Sequence, residues 1–190
     1  MTANNTNAAM IIRPARANDA EAVSIIYAPA VEDSIISFEL AAPTAKEVER
    51  RITETLRRWP WLVYEKDGAI VGYAYAGEHR SRQAYQWSVD VSVYVREDFR
   101  RKGVARALYE NLFALLRKQG FYNAYAGIAL PNDGSVGLHE SLGFTKVGVY
   151  RSVGHKMGAW RDVGWWHLVL QEHRDNPPLP LNFEELESAA

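Results

Sequence analysis

Between Trp87 and Val95 the side chains alternate without a break, and the segment that follows narrows the possible folds more than any other stretch of the chain. Trp87, Val89, Val91, Val93 and Val95 fall on one face of an extended strand, and Ser88, Asp90, Ser92 and Tyr94 on the other. A charged loop at residues 96–102, REDFRRK, leads to Gly103. A helix follows, with Val104, Leu108, Leu112 and Leu115 on one face and Gly120 placed to cap its C-terminus. The chemistry of such a strand–loop–helix unit is anion binding. N–H groups at a helix start are unpaired and point outward, and the helix dipole adds partial positive charge there. Glycine lets the backbone approach a phosphate closely, and Arg100, Arg101 and Lys102 add formal charge at the same place. The plain alternative is a solvated charged turn ahead of an ordinary helix.

The rest of the chain supplies strands and helices around this unit. Residues 1–9 are small and polar and are expected to be disordered. A short strand is expected at Ile11–Pro14, then a helix capped by Asn18 or Asp19 that carries Val23, Ile26 and Tyr27 and kinks or ends at Pro29. Ile35–Phe38 reads as loop or extended chain. Thr44 and Glu47 form a capping-box pattern ahead of Val48, Ile52 and Leu56, with Pro60 as the stop. Trp61–Tyr64 and Ala69–Ala76 read as strands joined at Asp67-Gly68, followed by a polar, basic loop at residues 77–84. Tyr122–Leu130 is a strand, and Asn132 or Asp133 caps a short helix ending near Gly143. Phe144–Val153 and Asp162–Leu170 are the last strands. This order predicts one α/β (α+β) domain over residues 10–173 with a mixed sheet of six to seven strands, and an irregular Pro-rich tail over residues 174–190.

Composition removes several kinds of chemistry. With no cysteine, a disulfide, a thiolate metal site and a cysteinyl acyl intermediate are all excluded. A net charge of −1 gives no general attraction to nucleic acid or anionic lipid, so neither is expected as a partner. No apolar run approaches the roughly 20 residues that cross a bilayer, and MTANNTNAAM lacks the pattern of a signal peptide. The expected location is the cytoplasm.

The dinucleotide fingerprint and the P-loop are both missing from the chain. Arg100-x-x-Gly103-x-Ala105, set between strand and helix, instead resembles the acetyl-CoA signature R/Q-x-x-G-x-G/A of the GNAT acetyltransferases. The resemblance runs from Ile11 to about Leu170 and is closest to the phosphinothricin and methionine-sulfoximine acetyltransferase branch. Its further marks are WPWLVYE at Trp59, GYAYAG at Gly72, Ala84-Tyr85 before the alternating strand, GIALPNDGSVGLHESLGF at Gly127, and WRDVGWW at Trp160.

The resemblance implies a mostly antiparallel sheet that splays between two parallel central strands, flanked by about four helices. The pantetheine arm of acetyl-CoA would enter that gap and pair with Val93, Tyr94 and Val95. Arg100, Arg101, Lys102, Gly103, Val104 and Ala105 would surround the pyrophosphate, with Asn132 and Ser135 also against the cofactor. No metal is implied, and the assembly would be a homodimer. In the branch's pattern Phe38 matches an aromatic clamp, while Arg80, Arg82 and Tyr85 match residues that hold the acid groups of an amino-acid substrate.

Acetyl transfer to an amine needs a base, because amines with a pKa near or above ~8 arrive protonated. Asp90, on the polar face beside Ser88 and Ser92, is the candidate. The resemblance implies Glu here, and Asp is one methylene shorter, so a water relay is expected. His139 is the second candidate: an imidazole can serve as acid or base, and the resemblance implies for this position the role of proton donor to the departing thiolate. The plain readings are a surface carboxylate, a structural helix histidine and a solvated basic turn. Without a cysteine, transfer would be direct, in a ternary complex with a small-molecule amine. Two alternatives stay open at this point: a relative acting on a protein N-terminus, polyamine or aminoglycoside, and a non-catalytic acyl-CoA-binding module.

Overall fold

The computed structural model describes residues 10–188. Its strands are β1 Met10–Pro14, β2 Trp61–Lys66, β3 Ala69–Glu78, β4 Ser88–Val95, β5 Asn123–Leu130, β6 Thr145–Lys156 and β7 Ala159–Val169. Its helices are α1 Ala20–Glu32, α2 Ala45–Leu56, α3 Val104–Gln119, α4 Asp133–Ser141 and α5 Phe183–Ser188. The strands form one mixed sheet of seven in the order β1-β2-β3-β4-β5-β7-β6. Every neighbouring pair is antiparallel except β4 and β5. The expected α/β (α+β) class and strand count hold, with five helices in place of about four. The tail expected at residues 1–9 lies outside the described residues.

The alternation in β4 becomes two layers. Val89 and Val91 are buried with Val104, Leu108, Leu112 and Leu116 of α3 on one side of the sheet. On the other side Val23 and Ile26 of α1 and Val48 and Ile52 of α2 pack on Trp61, Val63 and Tyr73, with Tyr94 against them. Burial of this kind stabilises by roughly 25 cal/mol per Å² of apolar area, and the two faces of β4 feed two separate clusters.

Local signals account for most element ends. Gly120 takes φ 94° at the C-cap of α3, a left-handed angle that favours glycine. Asp67 and Gly68, both at positive φ, turn β2 into β3. Thr44 accepts a hydrogen bond from the Glu47 N–H at 3.2 Å, but the return half of the box does not form. Glu47 spends its carboxylate on Arg50 and Arg51 instead.

Three expectations need correction. Pro29 does not end α1, which runs on to Glu32. The donor that Pro29 lacks is missed only at the exposed Ile25 turn, while the Asp33 and Ser37 N–H groups donate to Pro29 and Ala30 and keep the last turn closed. Asp19 sits at the cap position of α1 without capping it; its carboxylate accepts from Arg13 Nη1 and Nη2, at 2.7 and 2.9 Å, and from the Arg16 N–H at 2.7 Å. The C-terminal segment is not wholly irregular, because α5 forms and buries Phe183. Gln119 Nε2 donates to the Leu181 and Arg58 carbonyls, and Trp87 Nε1 donates to Pro178, which ties this segment to α3 and to the residue before β4.

Burial alone would raise the Asp19 carboxyl, but the hydrogen bonds from Arg13 and the Arg16 N–H outweigh it and hold the group below the ordinary carboxylate range. A depressed carboxyl contributes stability that is present above its unfolded pKa and lost as pH falls through the folded one. Asp19→Asn is therefore expected to lower stability at pH 7 by about 2 kcal/mol, with the gap to wild type shrinking below about pH 4. Urea unfolding followed by tryptophan fluorescence at pH 7 and pH 3 checks this; a gap as large at pH 3 as at pH 7 would contradict it.

Candidate active site

β4 and β5 pair at Ser88–Asn123, Val89–Ala124 and Asp90–Tyr125, and no further. Beyond Asp90, β4 stays with β3 and β5 stays with β7, so a gap opens inside the sheet. The phase of the ladder decides what faces the gap. The Arg96 N–H donates to Val71 on β3, and the Trp87 carbonyl accepts from Tyr122 on the β5 side. Even-numbered residues of β4 therefore bond to β3, and Val91, Val93 and Val95 turn their N–H and C=O groups toward β5. Backbone groups inside a sheet need partners, and an extended molecule with amides of its own would supply them.

This gap opens into a groove of about 800 Å³. Val93, Tyr94 and Val95 form one wall, and Asn132 and Ser135 at the start of α4 form the other. Arg100, Arg101, Gly103, Val104 and Ala105 close its end. In that loop Arg101 takes φ 58° and Gly103 φ 82°, which curls successive N–H groups around one point. A Cβ on Gly103 would meet nothing within 4 Å, so the glycine is required by its angle and not by crowding. No side chain caps the first turn of α3, whose N–H groups are left for a ligand. Arg100 has only a loose, exposed pair with Glu97 at 4.0 Å and is free to meet an anion. Lys102 is not among the lining residues; its ammonium lies 5.1 Å above the Phe99 ring. Arg106, which the sequence did not single out, lines the groove and donates to Ser141 Oγ at 2.8 Å, linking α3 to α4. Free N–H groups, left-handed curl and arginines fit a pyrophosphate, and the unpaired strand edge fits a pantetheine arm. Acetyl-CoA has both.

A narrower slot of about 60 Å³ continues between Val91–Val93 and Ala126–Ala129. Tyr109 and His139 line it. His139 is buried; its Nδ1 lies 2.7 Å from the Ser135 carbonyl and its Nε2 3.1 Å from the Tyr109 hydroxyl. These partners assign the proton to Nδ1, so Tyr109 donates to Nε2. Burial lowers the His139 pKa, only partly offset by the Ser135 carbonyl, and raises the Tyr109 hydroxyl. The pair is neutral at pH 7. Asn132 caps α4 as expected, accepting from the Ser135 N–H at 3.1 Å.

Asp90 stands where the gap begins, on the face opposite α3. Burial raises its carboxyl, against the pull of His79 and Arg80, and the net direction is up. Asp90 Oδ1 lies 2.6 Å from His79 Nδ1. The His79 ring stacks on Tyr125 at 4.2 Å, with Tyr85 and Trp165 edge-on at 6.0 and 6.1 Å. The Arg80 guanidinium lies 5.4 Å over Trp165. The fold thus gathers Arg80 and Tyr85 around Asp90, while the Arg82 side chain is exposed and makes no hydrogen bond among the described residues. Phe38 packs on β6, with its ring seated where a Cβ on Gly154 would fall. That loop is held by the buried Lys156, whose Nζ donates to the Val31 and Ser37 carbonyls at 2.5 and 2.6 Å. His79, Tyr109 and Tyr125 join Arg106 as polar residues that sequence reasoning missed. Their proximity to Asp90 and His139 comes from pairing register and helix packing.

Comparison with known proteins bears on this geometry. Residues 12–165 match the acetyltransferase (GNAT) domain family. The chain is 43% identical over 170 residues to a phosphinothricin N-acetyltransferase of Streptomyces viridochromogenes, covering 90% of this chain and 92% of that one. It is 35% identical over 165 residues to an L-methionine sulfoximine/L-methionine sulfone acetyltransferase of Salmonella typhimurium, covering 86% and 96%. The crystal structure of a phosphinothricin acetyltransferase of Sinorhizobium meliloti in complex with acetyl-CoA superposes with a TM-score of 0.85 at 30% identity, over 92% of this chain and 95% of that one. A groove shaped for acetyl-CoA and a family match spanning most of the residues agree: the chain belongs to the GNAT family of acetyltransferases.

Proposed function

We propose that this acetyltransferase acts on the amino group of a small amino acid bearing a second acidic, sulfone or sulfoximine-like group, of the phosphinothricin and methionine sulfoximine type. The observation that carries the reading is Arg80, set over Trp165 and beside Asp90 at the mouth of the splayed strands. A guanidinium there pairs with an acidic group and brings the neighbouring amine toward the carboxylate. The relatives' activities support the same substrate class. Cationic polyamines suit this basic rim less well.

Acetyl-CoA supplies an acetyl group activated as a thioester; the chain's residues do the rest. Arg100, Arg101 and the first N–H groups of α3 bind the pyrophosphate, and the free edge of β4 orients the arm. The Val93 N–H faces the gap and stabilises negative charge on the carbonyl oxygen. Asp90, with the group it hydrogen-bonds, forms the basic centre that takes the proton from the ammonium. The His139–Tyr109 pair lines the slot and can hand a proton to the departing sulfur. With no cysteine in the chain, the acetyl group passes directly to the amine.

No helix among the described residues is long and apolar enough to cross a membrane. We place the enzyme in the cytoplasm, where acetyl-CoA is available, as a homodimer. Support for the dimer is the β6–β7 hairpin, which exposes Val153, Met157 and Trp160 toward its turn and Val147 near the start of β6.

Three measurements test this reading. In a free-thiol assay with phosphinothricin, methionine sulfoximine and methionine sulfone, Asp90→Ala should lose about 10²–10⁴-fold in kcat while still binding acetyl-CoA; full activity in the variant would remove Asp90 from the mechanism. Replacing Arg80 and Arg82 by Ala should raise the KM of the amino acid about tenfold or more and leave the KM of acetyl-CoA unchanged, with Arg82→Ala alone doing little. An unaltered amine KM in the double variant would sink the acid-recognition role. Trp160→Asp should shift the mass seen in sedimentation equilibrium from two chains to one, and a wild type already sedimenting as one chain would dismiss the dimer.

A further inference from the structure

Asp90, where the strands part, has a close partner. Its Oδ1 is 2.6 Å from His79 Nδ1, and a bond of that length to a carboxylate assigns the ring proton to Nδ1. The lone pair of the neutral imidazole is then on Nε2. Nε2 hydrogen-bonds to no described residue, yet it is not among the buried unpaired atoms, so it keeps contact with solvent. The ring has little freedom to move. Its side chain is 11% exposed against 35% for Asp90, one face lies on Tyr125 at an interplanar angle of 14°, and Tyr85 and Trp165 stand edge-on. The next residue is Arg80, which donates back to the His79 carbonyl at 2.7 Å.

We propose that His79, and not Asp90, is the base that takes the proton from the substrate ammonium, with Asp90 orienting the imidazole and stabilising the imidazolium. This rests on the amino-acid acetyltransferase reading above. Asp90 has a short side chain, and one of its oxygens is already committed; the imidazole, bonded through Nδ1, presents Nε2 on the side of the ring away from Asp90, in the residue before the arginine that would hold the substrate's acid group. The step balances simply. An N–H bond of the ammonium breaks and an Nε2–H bond forms. The freed lone pair makes the new C–N bond to the thioester carbonyl carbon, the C–S pair leaves on sulfur, and the second proton shed by the amide nitrogen ends on the thiol. The imidazolium then returns its proton to water. Asp90 on β4, Arg80 beside it, Tyr85 in the turn, Tyr125 on β5 and His167 behind Tyr125 are the titratable groups around His79. Of these only Asp90 hydrogen-bonds the ring, and Arg80 is the next residue of the chain.

A purely structural role for His79 would be to donate a hydrogen bond to Asp90. His79→Gln separates the two roles, because a glutamine amide can donate but cannot take a proton at neutral pH. The experiment follows kcat from pH 6 to 10 at saturating acetyl-CoA, with phosphinothricin and methionine sulfone, for wild type, His79→Gln, His79→Ala and Asp90→Asn. Calorimetric titration with acetyl-CoA and thermal melting establish that each variant is folded. Both His79 variants should lose about 10²–10³-fold in kcat near pH 7 with acetyl-CoA affinity kept. Their deficit should shrink toward pH 10, where the amine arrives unprotonated, and added imidazole should restore part of the His79→Ala activity. The His79→Ala/Asp90→Asn double variant should be no worse than the poorer single one, since the two act as a unit. Wild-type kcat and pH profile in His79→Gln, with Asp90→Asn impaired, would overturn the proposal and leave Asp90 as the base. No turnover by the wild type on either amine would overturn the substrate reading and this proposal together.

Discussion

Everything functional in this molecule depends on two parallel strands parting after three residue pairs. Inside a sheet, N–H and C=O groups without partners are costly, and the separation of β4 from β5 beyond Asp90 and Tyr125 leaves those of Val91, Val93 and Val95 turned into a gap. The chain tolerates this because each strand is fully paired on its other side, β4 with β3 and β5 with β7. Both keep their apolar side chains in the core below. The sheet is thus stable enough to hold open a strand-shaped vacancy, and that vacancy has a length, a polarity and a direction.

Position along β4 then sorts the chemistry. At its far end the chain turns through Arg101 and Gly103 into α3, and positive charge collects there although the chain as a whole is near neutral. At its near end Asp90, His79 and Arg80 gather beside Tyr125 and Trp165. The slot between holds the neutral His139–Tyr109 pair. One strand of eight residues therefore runs from the basic loop, past the narrow slot, to Asp90 and its aromatic neighbours, and α3 fixes it from below through Val89 and Val91. A shift of one residue in the β3–β4 register would reverse all of this, exchanging Asp90 with a core valine.

What the sequence showed and what it hid follow from the range of the interactions. Gly103, Gly120, Asp67-Gly68 and Thr44 act on their immediate neighbours, so their roles could be read residue by residue. The alternation of β4 was equally plain. Pro29 misled because the loss of one donor on an exposed turn is small beside the hydrogen bonds that close the helix end. The C-terminal segment looked irregular because NPPLP carries no periodic pattern, and its anchoring by Gln119 and Trp87 is visible only in three dimensions. Lys102 seemed equivalent to Arg100 and Arg101, but the left-handed turn at Arg101 sends it to the Phe99 ring. His79 was hidden for a different reason. It shares a face with Asp90 only because Gly77 pairs with Asp90, and residues 79–87 between the strands prevent that register from being counted.

The partnership between Asp90 and His79 connects these two kinds of information. Aspartate where the family pattern leads one to expect glutamate looks, in the sequence, like a lost methylene and a weakened base. In the fold it is one member of a pair whose second member extends from the adjacent strand end and is locked by Tyr125. Burial alone would make Asp90 a poor carboxylate, raising its pKa toward the protonated form; the His79 bond works against that shift. Each residue thus supplies what the other lacks. The carboxylate fixes the tautomer, and the ring's hydrogen bond opposes the upward shift of the carboxylate and leaves Nε2 on the side of the ring away from it. A carboxylate–imidazole pair of this kind is activated by geometry, so it tolerates a shorter acid provided that the histidine is held, and the aromatic walls around His79 hold it.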